Sequence, residues 1–369
     1  MPAFDSSVRA LLQQSLLRWF RRTARDLPWR RKRTPYRVWL AEVMLQQTRV
    51  EQARDYYIRF LKRFPTIRSL AVAPQRDVLK HWEGLGYYTR ARNLHAAAQT
   101  IMRDHGGRFP REPDAIRALP GVGAYTAAAI GSLAFGHDAA AVDGNVLRAI
   151  SRLVALESDI TKPAARAQVQ ALVDELLPRG RAGAFNEAVM ELGARICTPR
   201  KPKCERCPWR PWCAAAASGD PERYPVKAKR RKVPHKHVGA GLVVDRRGRF
   251  LIAQRLEDSM LGGLWEFPGG KQEPGETMEQ CIARELKEEL AIVVSVGSHA
   301  LTVSHAFSHF TMDLHAYFAR IVQGRPRAIH CADWRWVTLA EMDEFAFGRA
   351  DQRIIEFLRA LPRTGQNWK

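Results

Sequence analysis

The sequence lacks long uninterrupted runs of apolar residues. No stretch approaches the ~20 consecutive apolar residues that a helix needs to cross the hydrocarbon core of a membrane. A signal peptide at the start of the chain is missing as well. The two absences together predict a protein that has no membrane partner and remains in the cytoplasm.

Acidic residues are scarce relative to basic ones. The 369 residues include 59 Lys and Arg against 38 Asp and Glu, which leaves a formal net charge of +21. An excess of this size favours a polyanionic partner, because positive side chains attract phosphate groups. Without a membrane span, we expect this partner to be nucleic acid rather than an anionic membrane surface, and we place the chain at the nucleoid.

Exact repeats and low-complexity tracts are absent from residues 7–118, and strand-like alternation is scarce before about residue 238. Residues 7–118 show the pattern of amphipathic helices between short polar breaks that contain Gly or Pro. Residues 218–236 carry prolines and many charges but few large apolar side chains, which is typical of a linker. We therefore predict a multidomain chain with an all-α domain (1–217), a basic linker (218–236) and an α+β domain (237–369).

Alternation with period two predicts three strands in the last domain, and a helical period predicts two helices there. A turn at 245–248 is expected to join the first two strands as a hairpin. The predicted strands are 238–244, 249–254 and 311–320, and the predicted helices are 277–290 and 350–361.

Cysteine is rare outside one short segment. Four of the six cysteines have the spacing C-x6-C-x2-C-x5-C: Cys197, Cys204, Cys207 and Cys213. Without a secretory signal, this cluster predicts a metal site in region 195–215 rather than disulfides. Four thiolates can hold zinc or a [4Fe–4S] cluster, and ligand type alone does not separate the two. Zinc ribbons usually have two C-x2-C pairs, so the single pair here favours an iron–sulfur cluster with a structural role.

Residues 119–123 (Leu-Pro-Gly-Val-Gly) predict a tight turn between two helices. A proline ends the first helix, and Gly121 and Gly123 permit backbone conformations that other residues avoid. A helix that starts near Ala124 would leave unpaired N–H groups beside Gly121, Val122 and Gly123, and these would suit a phosphate. An ordinary helical hairpin is the alternative interpretation.

Two carboxylates in distant parts of the chain could act together on a glycosidic bond. Glu42 lies in a segment, 35–45, that is apolar on nearly every side, so we expect a buried carboxyl that keeps its proton, as a general acid must. Asp143 precedes a helix that starts near Val146. One carboxyl can protonate the leaving group while the other stabilises the cationic sugar. The alternatives are a Glu42 paired with an arginine and an Asp143 that only caps its helix.

Two further segments could contact a nucleic acid. Residues 46–49 (Gln-Gln-Thr-Arg) follow the predicted acid closely and carry polar groups of the kind that reach base edges. Residues 84–92 place Tyr87 and Tyr88 on a glycine loop before two arginines, which fits stacking on bases together with phosphate contact. A tyrosine pair in the protein core is the alternative.

Taken together, these residues resemble the A/G-specific adenine DNA glycosylase family over essentially the whole chain. The turn at 119–123, Asp143 and the cysteine spacing are similar to the endonuclease III helix–hairpin–helix superfamily in general. Residues 40–48 (Leu-Ala-Glu-Val-Met-Leu-Gln-Gln-Thr) and 84–88 (Gly-Leu-Gly-Tyr-Tyr) narrow the resemblance to the adenine-specific branch. The resemblance implies a monomeric, monofunctional enzyme of base excision repair with a [4Fe–4S] cluster. It would excise adenine paired with 8-oxoguanine or guanine in double-stranded DNA.

The resemblance also implies roles for single residues. Glu42 would protonate the flipped adenine at N7, Asp143 would stabilise the sugar cation, and Asn145 would support catalysis. Tyr125 stands where bifunctional relatives carry a lysine that attacks C1′, and a phenol cannot form that Schiff base. The implied adenine pocket contains Trp29, Arg30 and Glu187, and the implied duplex wedge and orphan-base contacts are Gln47, Thr48, Leu85 and Tyr87.

The C-terminal domain resembles Nudix domains that read 8-oxoguanine, with Phe307, Ser308 and His309 as the implied recognition loop. Its Nudix box is nearly complete, although Ala291 replaces the usual glycine. Carboxylates on one helix face could hold a divalent ion or remain a solvated surface, and we do not expect diphosphate hydrolysis. The matching residues are Gly270, Glu276, 284–289 (Arg-Glu-Leu-Lys-Glu-Glu) and Ile292, and the shared face carries Glu285, Glu288 and Glu289.

Three other functions are compatible with parts of the sequence. An oxidised-pyrimidine glycosylase with lyase chemistry would share the helical domain, although Tyr125 in place of a lysine argues against it. A nucleotide hydrolase with a DNA-binding domain would use the Nudix box. A non-enzymatic iron–sulfur DNA binder or redox sensor would need no pair of acids.

Overall fold

The computed structural model describes residues 4–228, 233–307 and 309–361. Their contacts divide the chain into two compact units. The first unit consists of Met1–Val72 and Ala96–Arg230, and the second consists of Ala73–His95 and Arg231–Lys369. A helical segment from the middle of the predicted all-α domain therefore belongs to the same unit as the C-terminal residues.

The regular structure of the described residues before 218 is helical, which confirms the all-α prediction. None of the helices in the described ranges is long and apolar enough to span a bilayer. The α-helices are α1 (Ser6–Thr23), α2 (Pro28–Arg31), α3 (Pro35–Leu45), α4 (Val50–Arg63), α5 (Ile67–Ala71), α6 (Gln75–Trp82), α7 (Thr89–Asp104), α8 (Pro113–Arg117), α9 (Ala124–Ile130), α10 (Gly144–Leu153), α11 (Pro163–Leu176), α12 (Ala182–Arg195) and α13 (Ala214–Ala217).

One hydrophobic core of the first unit lies between α1, α10, α11 and α12. The carboxylate of Asp5 caps α1, because it accepts a hydrogen bond from Ser7 N at 2.7 Å. Leu12, Leu16 and Phe20 then recur at intervals of four residues and form one buried stripe, which packs with apolar residues of the other three helices. This packing fixes the positions of α10 and α12, which both carry predicted site residues.

Helix α3 is buried on nearly every side, as its apolar sequence predicts. Thr34 caps its start, with its side chain accepting from Arg37 N, and Pro35 occupies the first helical position. The helix packs against α4 and α9. Because the apolar residues of α3 around it are buried, Glu42 is buried as well, and only 7 % of its surface is exposed.

The turn between α8 and α9 has the predicted helix–hairpin–helix form. Gly121 adopts a φ of +73°, a left-handed conformation in which glycine is unstrained. Val122 N donates to Leu119 O at 3.0 Å and closes the turn. After α9, one π-helical turn (Gly131–Phe135) leads to the segment that ends at Asp143.

The second unit contains two three-stranded sheets, which confirms the predicted α+β class. The strands and helices after residue 232 are β1 (His235–Val243), β2 (Phe250–Gln254), β3 (Trp265–Glu266), α14 (Met278–Leu290), β4 (Val293–Ala306), β5 (Thr311–Gln323), β6 (Asp333–Val337) and α15 (Arg349–Ala360). One sheet has the order β1-β5-β4, with β1 parallel and β4 antiparallel to β5. The other has the antiparallel order β3-β2-β6.

The turn at 245–248 forms, but the predicted hairpin of paired strands is wrong. Gly248 N donates to Asp245 O at 3.1 Å, yet β1 and β2 belong to different sheets. Only one antiparallel bridge, Val244 to Phe250, joins the two segments. Strand β1 pairs in parallel with β5 instead. Its last five residues are buried on both faces, as is usual for parallel strands. Periodicity within a strand does not reveal which distant strand completes its ladder.

The segment before α7 is attached to the rest of the second unit by hydrogen bonds. Lys80 Nζ donates to Phe345 O at 2.8 Å, and Tyr88 Oη donates to Phe347 O at 3.2 Å. Phe347 N in turn donates to Glu83 Oε1 at 2.8 Å. These bonds hold the loop 84–88 on the second unit.

Candidate active site

A cavity of about 710 Å³ lies in the first unit. Residues of α2, α3 and α12 form part of its wall. Residues 46–49, the start of α9 and residues 143–145 also line it. A volume of this size falls in the range of about 300–1,000 Å³ that small-molecule sites occupy. The cavity brings together ten of the predicted site residues, namely Trp29, Arg30, Glu42, Gln47, Thr48, Gly123, Tyr125, Asp143, Asn145 and Glu187.

Glu42 is hydrogen-bonded to a tyrosine rather than paired with an arginine. Tyr125 Oη donates to Glu42 Oε2 at 2.8 Å. Burial raises the pKa of Glu42 to about 7, while the hydrogen bond from Tyr125 acts in the opposite direction. Burial also raises the pKa of Tyr125 well above its usual value, so the phenol remains a donor. With this pKa, the carboxyl group of Glu42 still carries its proton in about half of the molecules at pH 7.

Asp143 caps α10 and faces the same cavity, so the two interpretations of this residue are compatible. Its Oδ1 accepts from Asn145 N at 2.9 Å and from Val146 N at 2.7 Å. Its Oδ2 accepts from Asn145 Nδ2 at 2.8 Å. Burial raises the pKa of Asp143, although these hydrogen bonds act in the opposite direction. The three bonds hold the carboxylate in one orientation.

Arginines in this cavity form ion pairs with two acidic residues of α12. Glu42 is hydrogen-bonded to Tyr125 instead. Arg30 Nε donates to Glu187 Oε1 at 3.0 Å, and Arg33 donates to the other oxygen of Glu187. Arg30 Nη2 also donates to Glu191 at 3.1 Å, and Arg25 Nε donates to Glu191 at 2.8 Å. Burial acts to raise the pKa of Glu191, but the two arginines outweigh it and lower that pKa.

Sequence reasoning missed three members of this network, Arg25, Arg33 and Glu191. The spacing of Glu187 and Glu191 was an available signal, because carboxylates four residues apart share one face of a helix. The ion pairs between these arginines and the two glutamates of α12 line one side of the cavity.

The residues after α3 reach the cavity through an unusual backbone conformation. Gln47 has a φ of +56°, which is uncommon for a residue other than glycine. Gln46 Nε2 donates to Thr126 Oγ1 at 3.1 Å and ties this turn to α9. Thr48 N donates to Leu45 O at 3.2 Å. Gln47 and Thr48 both line the cavity.

The other predicted contact residues in the glycine turn and the 84–88 loop differ in exposure. Gly123 lines the cavity, whereas Gly121 and Val122 lie in the turn before it and Val122 is buried. In the second unit, Tyr87 is 44 % exposed with a φ of +50°, whereas Leu85 is only 5 % exposed. The glycine loop therefore presents Tyr87 and packs Leu85 inward.

The predicted recognition loop follows β4 in the second unit. The Phe307 ring stacks on Phe310 with ring centroids 4.6 Å apart, and His309 contacts Phe310 edge-on at 4.8 Å. Phe307 is half-buried against the core, and His309 is exposed. Ser308 lies outside the described residues.

The acids of the Nudix box are partly neutralised by one arginine. Arg284 pairs with Glu276 at 2.8 Å, Glu285 at 3.1 Å and Glu288 at 3.2 Å. Burial, together with the charges of Glu266 and Glu285, raises the pKa of Glu289 to about 8. Divalent-ion binding by this face stays a prediction.

The four clustered cysteines line one small enclosed cavity between α10, α12 and the two 3₁₀ turns Cys204–Arg206 and Arg210–Trp212. Within the described residues none of the six cysteines forms a disulfide. Burial raises the pKa of Cys207 to about 12, so the bare thiol would stay protonated, and a bound metal would be needed to stabilise its thiolate. Four cysteines that line one small cavity are a donor set that fits an iron–sulfur cluster.

Arginines of α10 connect the cysteine loop with Asp143. Arg148 Nε donates to Cys197 O at 2.7 Å, and its Nη2 donates to Asn145 Oδ1 at 3.0 Å. Arg152 Nη1 donates to Cys197 Sγ at 3.4 Å and to Thr198 O at 2.7 Å. Hydrogen bonds through Arg148 thus connect the cysteine loop with Asn145, which in turn donates to Asp143.

Three family models match successive parts of the chain. Residues 40–175 match the HhH-GPD superfamily of base excision DNA repair proteins. Residues 197–213 match the iron–sulfur binding domain of endonuclease III, and residues 239–357 match the NUDIX domain. The matches confirm the predicted helix–hairpin–helix and Nudix-like fold classes and the [4Fe–4S] cluster. The four cysteines stay the predicted ligands of this cluster.

Curated relatives are similar over most of the chain. A rat protein named adenine DNA glycosylase is 33% identical, over 93% of this chain and 77% of the relative. A protein of the same name from Buchnera aphidicola subsp. Acyrthosiphon pisum (strain APS) is also 33% identical, over 84% of this chain and 87% of the relative. Among solved structures, a thermostable thymine-DNA glycosylase superposes with a TM-score of 0.52 at 33% identity, and the match covers 57% of this chain and 98% of that one.

Proposed function

We propose that this chain, which belongs to the adenine DNA glycosylase family, excises adenine paired with 8-oxoguanine or guanine in duplex DNA. It is a DNA N-glycosylase of base excision repair, and we infer that it hydrolyses the glycosidic bond without cutting the strand. The observation that carries the proposal is the buried Glu42, whose pKa is raised to about 7, in the same cavity as the hydrogen-bonded carboxyl group of Asp143.

In this proposal, Glu42 protonates the leaving base. A general acid works best when its pKa lies near the working pH, because it then carries a proton and still releases it readily. Burial in α3 provides this pKa, and Tyr125 fixes the direction of the carboxyl group. In the proposed reaction, adenine accepts this proton at N7 and leaves as the neutral base.

In the same proposal, Asp143 stabilises the sugar as its positive charge develops. A carboxylate that is already oriented needs no rearrangement when the cation forms, and this preorganisation is the main source of electrostatic catalysis. Asn145 and the first turn of α10 supply that orientation. Arg148 supports Asn145 from the side of the cysteine loop, where Cys197, Cys204, Cys207 and Cys213 would hold the cluster in a structural role.

The composition of the cavity wall favours a monofunctional enzyme over the oxidised-pyrimidine lyase. A lyase needs an amine that attacks C1′ and forms a Schiff base. Among the described residues that line the cavity there is no lysine, and the position of that amine is occupied by Tyr125. Arginine does not replace it, because its guanidinium stays protonated.

Several surfaces are available to bind the duplex around the flipped adenine. Gln47 and Thr48 line the cavity, and Tyr87 is exposed on a glycine loop where it could stack on a base. The turn 121–123 would contact a phosphate, and the loop 307–309 would read 8-oxoguanine. The net charge of +21 favours association with DNA, so we propose that the chain acts at the nucleoid. We also propose that it acts as a monomer.

The proposed function is tested with a labelled duplex that holds one A·8-oxoguanine pair. We expect single-turnover excision that becomes visible as strand cleavage only after hot alkali, because the enzyme leaves an intact abasic site. Borohydride should trap no covalent complex. A matched duplex with A·G measures the second substrate, and one with A·T is the negative control.

Each contrary outcome has a definite meaning. A borohydride-trapped adduct would identify a lyase. If cluster-loaded protein released no adenine at all, the glycosylase proposal would fail, and release of pyrophosphate from 8-oxo-dGTP with Mg²⁺ would then support the nucleotide hydrolase.

The excision rate should depend on pH in a way that reports Glu42. Only the protonated carboxyl donates, so we expect the single-turnover rate to fall about tenfold per pH unit above a pKa of about 7. At acid pH the rate should fall again as Asp143, whose pKa is raised, takes up a proton. Single-turnover rates above pH 7 measure the limb of Glu42, and rates at successively lower pH measure the limb of Asp143.

Tyr125→Phe provides the matched variant for this pH profile. The hydrogen bond from Tyr125 lowers the pKa of Glu42, so its removal should move the alkaline limb to higher pH. A rate that stayed constant from pH 6 to 9 in the parent enzyme would contradict the role of Glu42 as the acid.

A further inference from the structure

His235, His237 and Asp313 form a cluster on the β1-β5-β4 sheet of the second unit. None of the sites described above includes these residues. In the parallel pairing of β1 with β5, His237 lies opposite Asp313 and His235 lies opposite Thr311. Because side chains two residues apart in a strand share a face, His235 and His237 project together, and so do Asp313 and His315. One ligand atom from each of His235, His237 and Asp313 lies within 4.8 Å of the other two.

Each of the two imidazoles in β1 already has one nitrogen in a hydrogen bond. His235 Nδ1 is 2.8 Å from Thr311 Oγ1, while its Nε2 is 3.3 Å from Asp313 Oδ2. His237 Nδ1 is 3.2 Å from His315 Nε2, which leaves Nε2 of His237 for a ligand role. Histidines that bind metals have this arrangement, because a partner on the second nitrogen fixes the ring and its tautomer.

The hydrogen-bonded support continues behind the ring of His315. Its Nδ1 is 3.0 Å from Thr302 Oγ1 on β4, so the chain His237–His315–Thr302 crosses all three strands of the sheet. Strands hold their side chains more rigidly than loops do, which favours a site of defined geometry.

We propose that His235, His237 and Asp313 bind one divalent transition-metal ion, with Zn²⁺ as the best match, and that His315 is the positioning residue for His237. Two imidazole nitrogens and one carboxylate oxygen are a ligand set that zinc accepts, with water in the fourth position. Ligands at about 2.0–2.2 Å from the ion would lie roughly 3.3–3.5 Å apart in a tetrahedron, so small side-chain rotations close the site. The two strands themselves need not move.

The site would join the starts of β1 and β5, close in sequence to Phe307 and Phe310. Thr311 N donates to Pro234 O at 2.9 Å, and Phe307 N donates to Phe310 O at 2.8 Å immediately before β5. A bound ion would add a cross-link between these two strand starts. It would stabilise the second unit by an amount that grows with the logarithm of the free ion concentration once that concentration exceeds the dissociation constant. The inference does not depend on which base the enzyme excises.

The test uses the full chain with its iron–sulfur cluster in place, titrated with zinc chloride after dialysis. Zinc and iron are counted in the same sample, and X-ray absorption at the zinc edge identifies the atoms around zinc. We expect one zinc per chain with nitrogen and oxygen neighbours at about 2.0–2.1 Å. His237→Ala and Asp313→Ala should each lose this zinc, and His315→Ala should weaken its binding about 10–100-fold.

His330→Ala is the matched control, because this exposed histidine belongs to the same unit but not to the cluster. It should keep the zinc and the excision activity of the parent. The proposal is overturned if no zinc binds at micromolar concentration, if the zinc has sulfur neighbours, or if the His237 and Asp313 variants bind zinc as the parent does.

Discussion

Glu42→Gln should lower the single-turnover rate of adenine excision by about 10²–10⁴-fold at neutral pH, the usual contribution of a general acid. Glutamine has nearly the shape of glutamic acid, and its amide oxygen can still accept the hydrogen bond from Tyr125. It has no acidic proton to give to the leaving base. The loss should therefore appear in the chemical step and not in the binding of the duplex.

The measurement compares single-turnover rates and duplex affinity for Glu42→Gln and the parent. Asp104→Asn is a suitable control, because it changes an exposed carboxylate of the same unit that is paired only with its neighbour Arg103 among the described contacts. The residual activity of Glu42→Gln should no longer decline above pH 7. A fully active variant would show that another group protonates adenine, and the glycosylase assignment itself would stand.

Asp143→Asn should reduce the same rate by about 10²–10³-fold, a range typical for the removal of one preorganised electrostatic contact. The substitution removes the negative charge that faces the developing sugar cation. It also places an amide N–H₂ where Oδ2 now accepts from Asn145 Nδ2, so the supporting hydrogen bond is lost unless the side chain turns over. Both effects act on the transition state.

Asp143→Ala separates the catalytic role of this residue from its role as a helix cap. Asparagine remains a good N-cap, whereas alanine should destabilise the protein by about 1 kcal/mol because the first turn of α10 loses its acceptor. We expect both variants to lose excision activity, but only Asp143→Ala to lower the midpoint of thermal unfolding. If Asp143→Asn kept the activity of the parent with its iron content unchanged, the charge of this carboxylate would be unimportant for the reaction.

The two carboxyl groups should not behave as independent contributors. The charge of Asp143 acts on Glu42 and raises its pKa. Neutralising Asp143 therefore makes Glu42 a slightly stronger acid, and the alkaline limb of the pH profile in Asp143→Asn should lie lower than in the parent. For residues that act as a unit, the double variant should cost less than the product of the two single effects.

Local sequence determined the elements and the burial of their side chains. The uniformly apolar pattern of 35–45 was enough to predict that Glu42 is buried, because a helix without a polar face has no side to turn toward water. The glycines at 121 and 123 predicted the turn before α9, and the spacing of the four cysteines predicted the iron–sulfur loop. Each of these features depends on residues close together in the chain, so a short pattern contains the necessary information.

The partners of these elements were decided only by the tertiary structure. The pattern of α3 left open whether Glu42 meets an arginine or another group, and packing against α9 placed Tyr125 there instead. The arginines joined Glu187 and Glu191 on α12. The pairing of β1 with β5, and with it the contact of His237 and Asp313, likewise joins segments far apart in the chain. Such pairings depend on how whole elements share buried surface, and that quantity is not present in the sequence of either element alone.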